Sequence, residues 1–291
     1  MAMTAPTGTI TRRNSEFLVP RLEEAVARHQ AQGCDDEEAA RLAVDSSSEI
    51  LLQARSDVMA DFAAGLPSNL SPEDKAQKLM QASKSNAGKI FERFSAYAIS
   101  RALAGTDWAL WKDTADLKDV LGVPKAELLN VTREAFGKKV AVLLEADYLL
   151  FQPARPLETL VFVSTKSSMK DRLHNVTMWA LLLEVLRDEV ARSRLCLDAA
   201  HLDTLKRSKY VLVTGDFATE QPDLRGDGDP RALLQFDASF CDAAFAAVTP
   251  EWNPGLASDV TEVRETAFYR LSALPRYLEA LENALEAGVP V

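Results

Sequence analysis

Residues 140–151 read VAVLLEADYLLF and residues 160–172 read LVFVSTKSSMKDR, with Gln152-Pro153-Ala154-Arg155-Pro156 starting the link between them. Both runs are rich in Val, Leu and aromatic residues, which fit a pleated, half-buried surface. Two such runs around a short Pro-containing loop predict a β-hairpin. Asp147 lies in the first strand, and the second ends Ser164-Thr165-Lys166. Side chains alternate along a strand, so Ser164 and Lys166 share a face. The hairpin can therefore bring Asp147 and Lys166 side by side. Such a pair is commonly structural and worth little in energy. Its chemical reading is phosphodiester hydrolysis. The carboxylate holds a divalent metal that polarises the phosphate and acidifies a bound water. The lysine positions that water and offsets charge in the transition state.

Outward from the hairpin the chain is helical before it and mixed after it. Residues 16–32 predict a helix with Pro20 near its start, ending at Gly33. Asp35 and Asp36 can cap a second helix running to Gly65. Ser71-Pro72-Glu73-Asp74 is a helix start signal, with a capping serine, proline at the first helical position and acids in the first turn. A further helix is expected over 85–104. Beyond the hairpin, 173–192 predicts a long helix with Trp179, Leu182, Leu183 and Leu186 on one face for a core or a dimer. Residues 209–214 (KYVLVT) predict a third strand, 223–230 a loop, and 261–287 a final helix interrupted before Pro275. The expected fold is α/β (α+β), a central mixed sheet flanked by helices. A helical N-terminal region (1–83) precedes a catalytic and DNA-recognition domain (84–291).

Composition fits a folded domain: 47% of the 291 residues are hydrophobic and 26% charged. No apolar run approaches the roughly 20 residues of a membrane-spanning helix, and 1–13 has no apolar signal core. Cys34, Cys196 and Cys241 are odd in number and far apart, which suits reduced thiols and a cytoplasmic protein. His29, His174 and His201 lack metal-ligand spacing. The net charge of −10 is unevenly spread. Residues 35–61 hold eight acids against two bases, and 216–291 fourteen against five. Residues 164–209 hold nine bases against six acids, and 84–101 four against one. An acidic protein with a basic centre can bind a polyanion there.

The run Ala146-Asp147-Tyr148-Leu149-Leu150, followed by Val163-Ser164-Thr165-Lys166-Ser167-Ser168-Met169-Lys170-Asp171-Arg172, resembles the PD-(D/E)xK nucleases. More narrowly, it resembles the type II restriction endonucleases of the EcoRII/NgoMIV/BsaWI group. That resemblance implies a nuclease core, a metal-binding Asp147, a catalytic Lys166 and Mg²⁺ as cofactor. It also implies that Lys170, Asp171 and Arg172 read C:G pairs. Ala146 stands where the motif often has proline. Ser164 stands where the general motif has an acid; this subgroup takes its second carboxylate from the following helix. Glu184 is the first acid of that helix after Asp171 and lies about one turn beyond the family's spacing.

Glu92 is the other candidate carboxylate. At 100° per residue it shares a stripe with Ala96, Ile99 and Leu103, flanked by Phe91 and Ala98. An acid within an apolar arc needs a partner such as a metal or a lysine. The run Gly88-Lys89-Ile90-Phe91-Glu92 also resembles a segment that precedes the catalytic strand in the group. Chemistry supports the reading cluster as well: Lys and Arg donate to guanine O6 and N7, and Asp accepts from cytosine N4. The expected catalytic residues are thus Asp147, Lys166, Glu92 and Glu184, with Asp147 and Glu92 on the metal. Lys206, Arg207 and Lys209 could touch phosphates. Gly226-Asp227-Gly228-Asp229 reads as a turn.

The function expected is Mg²⁺-dependent cleavage of double-stranded DNA at a short palindrome containing CC:GG. The resemblance implies a homodimer or homotetramer, since a two-fold site asks for a two-fold protein. A nuclease of the same superfamily with a repair role is a near alternative. The alternative from another class is an acidic, mostly helical interaction or regulatory protein whose Asp and Lys are structural.

Overall fold

The computed structural model describes residues 7–103, 105–112, 116–166, 173–215, 241–247 and 268–287. Four helices come first: α1 (Thr7–Ala31), α2 (Asp36–Asp45), α3 (Ser47–Ala64) and α4 (Pro72–Ala102). The expected start signals act as such. The Asp35 carboxylate accepts from the Glu38 amide at 2.8 Å, and the Ser71 hydroxyl from the Asp74 amide at 3.1 Å. Two expectations change here. The segment after Asp35 is two helices that break at Ser46, and α4 runs unbroken from the Ser71 cap through residues 83 and 84 to Ala102.

Next come β1 (Ala109–Lys112), α5 (Leu117–Leu121), α6 (Lys125–Leu128), β2 (Asn130–Ala135), β3 (Lys138–Leu143), β4 (Tyr148–Phe151) and β5 (Val161–Lys166). After these lie α7 (Leu173–Arg187), α8 (Glu189–Arg194), β6 (Leu197–Ala199), α9 (Leu202–Arg207) and β7 (Lys209–Gly215). The last described elements are β8 (Ala243–Ala247), β9 (Phe268–Arg270), a single 3-10 turn and α10 (Leu274–Glu286). The main sheet has the order β1-β4-β5-β7-β8-β9. Strands β1, β4 and β5 pair antiparallel, and β5, β7, β8 and β9 pair parallel. The fold is therefore α+β with a mixed six-stranded sheet flanked by helices. The predicted hairpin is the β4–β5 pair, with Tyr148 opposite Val163 and Leu150 opposite Val161.

Alternation along the strands feeds two cores. Tyr148, Leu150, Val161, Val163, Val211, Val213 and Phe245 face one way, against α1–α4 and α10. Leu149, Phe151, Phe162, Tyr210, Leu212 and Ala244 face the other way, against α5, α6, α7 and α9. Covering both faces explains why these strands read as nearly continuous apolar runs. Trp179, Leu183 and Leu186 are buried in the second core, which decides that helix face for packing. No described helix is long and apolar enough to cross a membrane.

Three expected elements differ for local reasons. Residues 140–151 form two strands in two sheets, because the Leu144 amide bonds the Leu129 carbonyl at 2.9 Å and closes a separate β2–β3 hairpin. The helix expected over 173–192 ends at Arg187, where Asp188 caps α8 by accepting from the amides of Val190 and Ala191. The final helix begins only at Leu274. Pro275 sits in its first turn, where proline starts a helix rather than interrupting one.

At the start of β7 the sheet holds a buried ionic cluster. Asp242, 10% exposed, accepts from Lys209 Nζ at 3.1 Å, Arg187 Nη1 at 3.2 Å and the Tyr210 amide at 2.7 Å. Lys209 is thus a core ion-pair partner and is not placed to touch phosphate. Burial opposes the Asp242 charge, but Arg187 and Lys209 outweigh it and hold its carboxyl below the usual range. Asp242→Ala leaves the buried Lys209 and half-buried Arg187 with only the exposed Glu184 beside them and should cost about 3 kcal/mol, measured by urea unfolding. Because the folded-state pKa is depressed, this stabilisation is present above the unfolded pKa of about 3.9 and is lost as pH falls through the folded value. Wild type should therefore lose its advantage over Asp242→Ala on acidification.

Candidate active site

Asp147 stands one residue before β4, where its amide donates to the Val163 carbonyl at 2.9 Å. Val163 is also the register partner of Tyr148, so Asp147 joins Tyr148 against it at the end of β5. Its Oδ2 accepts from the Thr165 amide at 2.6 Å and from the Thr165 hydroxyl at 3.1 Å, and the Ser164 hydroxyl lies at 3.4 Å. The half-buried carboxylate is thus oriented by the two residues that precede Lys166. Lys166 is the last residue of β5, paired with Thr214 of β7, in the same alternating row as Ser164.

Two tyrosines that the sequence reading passed over brace this turn from opposite faces. Tyr148, buried in the first core, donates its hydroxyl to the Glu92 carbonyl of α4 at 2.7 Å. Tyr210, buried in the second, donates to the Glu145 carbonyl at 2.9 Å, stacks on Phe162 and hydrogen-bonds Ser164. Burial pushes both phenols well above the ordinary range. The Glu92 and Asp147 carboxylates add to the shift at Tyr148, and Asp147 and Glu145 to that at Tyr210. A signal was available: a lone Tyr within an aliphatic strand needs a partner for its hydroxyl.

Glu92 is exposed, which corrects the expectation of an inward acid on an apolar arc. Its neighbours Phe91, Phe94, Ser95, Ala96 and Ile99 are the buried ones. Its backbone is nevertheless tied to Tyr148, and its charge acts on the same phenol as that of Asp147. Glu184 has different neighbours. It is exposed in the last turn of α7, with Oε1 3.6 Å from Arg187 Nη1, and its charge acts on Lys209. Lys209 pairs with Val161 at the start of β5, away from the end that meets Asp147. Lys170, Asp171, Arg172 and the 226–229 turn lie outside the described residues.

Among the described residues no cluster of three or more His, Cys, Asp or Glu could hold a metal. Two carboxylates nonetheless suit Mg²⁺, which keeps several waters and needs only one or two protein oxygens. Asp147, its direction fixed by the Thr165 amide and hydroxyl, is one carboxylate of that kind. Tyr148→Phe removes the bond between β4 and α4 and should lower stability by about 1 kcal/mol in urea unfolding.

Neither a scan against protein-family models nor a search of curated protein sequences gives a match. A solved structure described as a complex of the pre-specific restriction endonuclease BsaWI with DNA is similar at 11% identity, covering 94% of each chain, with a TM-score of 0.34.

Proposed function

We propose that this chain is a metal-dependent endonuclease of double-stranded DNA and, within that class, a type II restriction endonuclease. The observation that carries the reading is the hydrogen bond from the Thr165 amide to Asp147. It fixes a carboxylate against the strand residue that immediately precedes Lys166. Asp147 and Glu92 would hold Mg²⁺, which when bound neutralises phosphate charge and supplies an acidified water. Ser164 and Thr165 orient Asp147, and Tyr210 holds Ser164. Lys166 Nζ positions the attacking water and offsets negative charge in the pentavalent transition state. Glu184, placed with Arg187 and Lys209, serves structure in this reading. Lys170, Asp171 and Arg172 read adjacent C:G pairs, so the site is a short palindrome containing CC:GG, cut by a homodimer or homotetramer.

The test is incubation with phage DNA and Mg²⁺, with and without chelator. Discrete, chelator-sensitive bands are expected. Asp147→Ala and Lys166→Ala should each slow cleavage on the order of a hundredfold or more, while Lys166→Ala still binds duplex. Glu92→Gln should impair cleavage and Glu184→Gln should not. Wild-type cleavage by Asp147→Ala would overturn the assignment.

Sequence reading is tested separately. Arg172→Ala should lose about 1–3 kcal/mol of discrimination between cognate and scrambled duplexes at fixed salt. Salt-sensitive non-specific binding should remain. A mapped cut site without adjacent C:G pairs would remove this cluster as the reader.

A further inference from the structure

The second sheet, β3-β2-β6, carries a hairpin whose outer half packs on little. Its root is firm: Leu128, Leu129, Val131 and Leu144 are buried in the second core. Strand β6 pairs with residues 131–133, and the Glu134 amide bonds the Cys196 carbonyl at 3.3 Å, leaving the hairpin end beyond to project. Every residue of β3 is exposed, including Val140, Val142 and Leu143.

The tip is Phe136-Gly137, with both residues at positive φ (54° and 69°). Two left-handed residues between antiparallel strands make a tight hairpin turn that favours Asn, Asp or Gly at the first position. A phenylalanine there is disfavoured, and Phe136 is fully exposed, so no packing compensates. A local rule broken without a folding gain marks a functional position. Arg133 and Glu134 precede the tip and Lys138 and Lys139 follow it, so bases outnumber acids three to one in an acidic chain.

We propose that this hairpin is a DNA-probing arm. The Phe136 ring wedges against a base step while Arg133, Lys138 and Lys139 contact phosphates. Apolar side chains inserted between base steps, flanked by cations, are an established way to grip and bend a duplex. A second copy of the hairpin would instead set these like charges against each other. The root is close to the candidate site: Leu144 precedes Asp147 by three residues, at most about 10 Å of chain. A duplex at Asp147 thus lies beside the arm. The inference rests on the nuclease reading and extends it.

The experiment uses the full chain in Ca²⁺ in place of Mg²⁺. The probe is a duplex carrying the site mapped in the phage-DNA digest, with 2-aminopurine replacing successive adenines. Wild type should raise 2-aminopurine fluorescence at one step. Phe136→Asn suits the left-handed turn and so keeps the fold. It should abolish that signal and weaken binding about tenfold, with little change in salt dependence. The double variant Lys138→Ser/Lys139→Ser should keep the signal but lower the salt slope by about two phosphate contacts. If wild type cuts DNA and Phe136→Asn binds and unstacks as wild type does, the arm is overturned while the nuclease reading stands. If wild type neither cuts nor binds duplex, both fall. Loss of self-association in Phe136→Asn with unchanged DNA binding would identify a protein interface and overturn the proposal.

Discussion

The register that sets Tyr148 opposite Val163 is the constraint on which the rest of the molecule depends. Because side chains alternate, a slip of one residue would send Tyr148 into the wrong core and carry Asp147 away from the Thr165 amide. The register is enforced from both sides. Tyr148 reaches across to α4 and Tyr210 reaches across to Glu145, so each core contributes one phenol to the same short turn. Hydrophobic burial thereby becomes a means of placing a carboxylate, since the packing that satisfies the strands also fixes the polar segment between them.

The sheet carries two aspartates beside strand ends that bear a lysine, and their settings contrast. Lys209 and Asp242 are closed off from water, and the carboxylate is shared among two cations and a backbone amide. An ion pair so enclosed holds the starts of β7 and β8 against α7. Asp147 is only half-buried, and the amide and hydroxyl of Thr165 orient it. The two pairs look alike in sequence and differ in surroundings.

Much of this was legible in the sequence. The β4–β5 hairpin, the caps at Asp35 and Ser71, the β7 strand and the position of Asp147 against the end of β5 all follow from period, turn chemistry and spacing. What was not legible depended on tertiary partners. The split of residues 140–151 needs the Leu129–Leu144 hydrogen bond, which no local pattern encodes. The helical wheel placed Glu92 within an apolar stripe, yet α4 turns Phe91 and Phe94 inward and leaves Glu92 at the surface. Glu184 was judged by its distance along the chain from Lys166, whereas its place in the last turn of α7 carries it to the opposite end of β5. The strands β1, β2, β6 and β8 are short or flanked by polar residues, and pairing rather than propensity makes them strands.

The position of α10 bears on how the protein comes into being. Tyr277, Leu278 and Leu281 complete the same core that holds Tyr148, Val163 and the helices before them, and Glu282 receives Gln152 and Arg155 from the end of the β4–β5 hairpin. During synthesis the helices and the first strands emerge long before these residues do. Until Leu281 has been made that core lacks one wall and rests on α1–α4 alone, so part of its apolar surface stays exposed in the nascent chain. The turn carrying Asp147 then acquires its final rigidity only after α10 has been made.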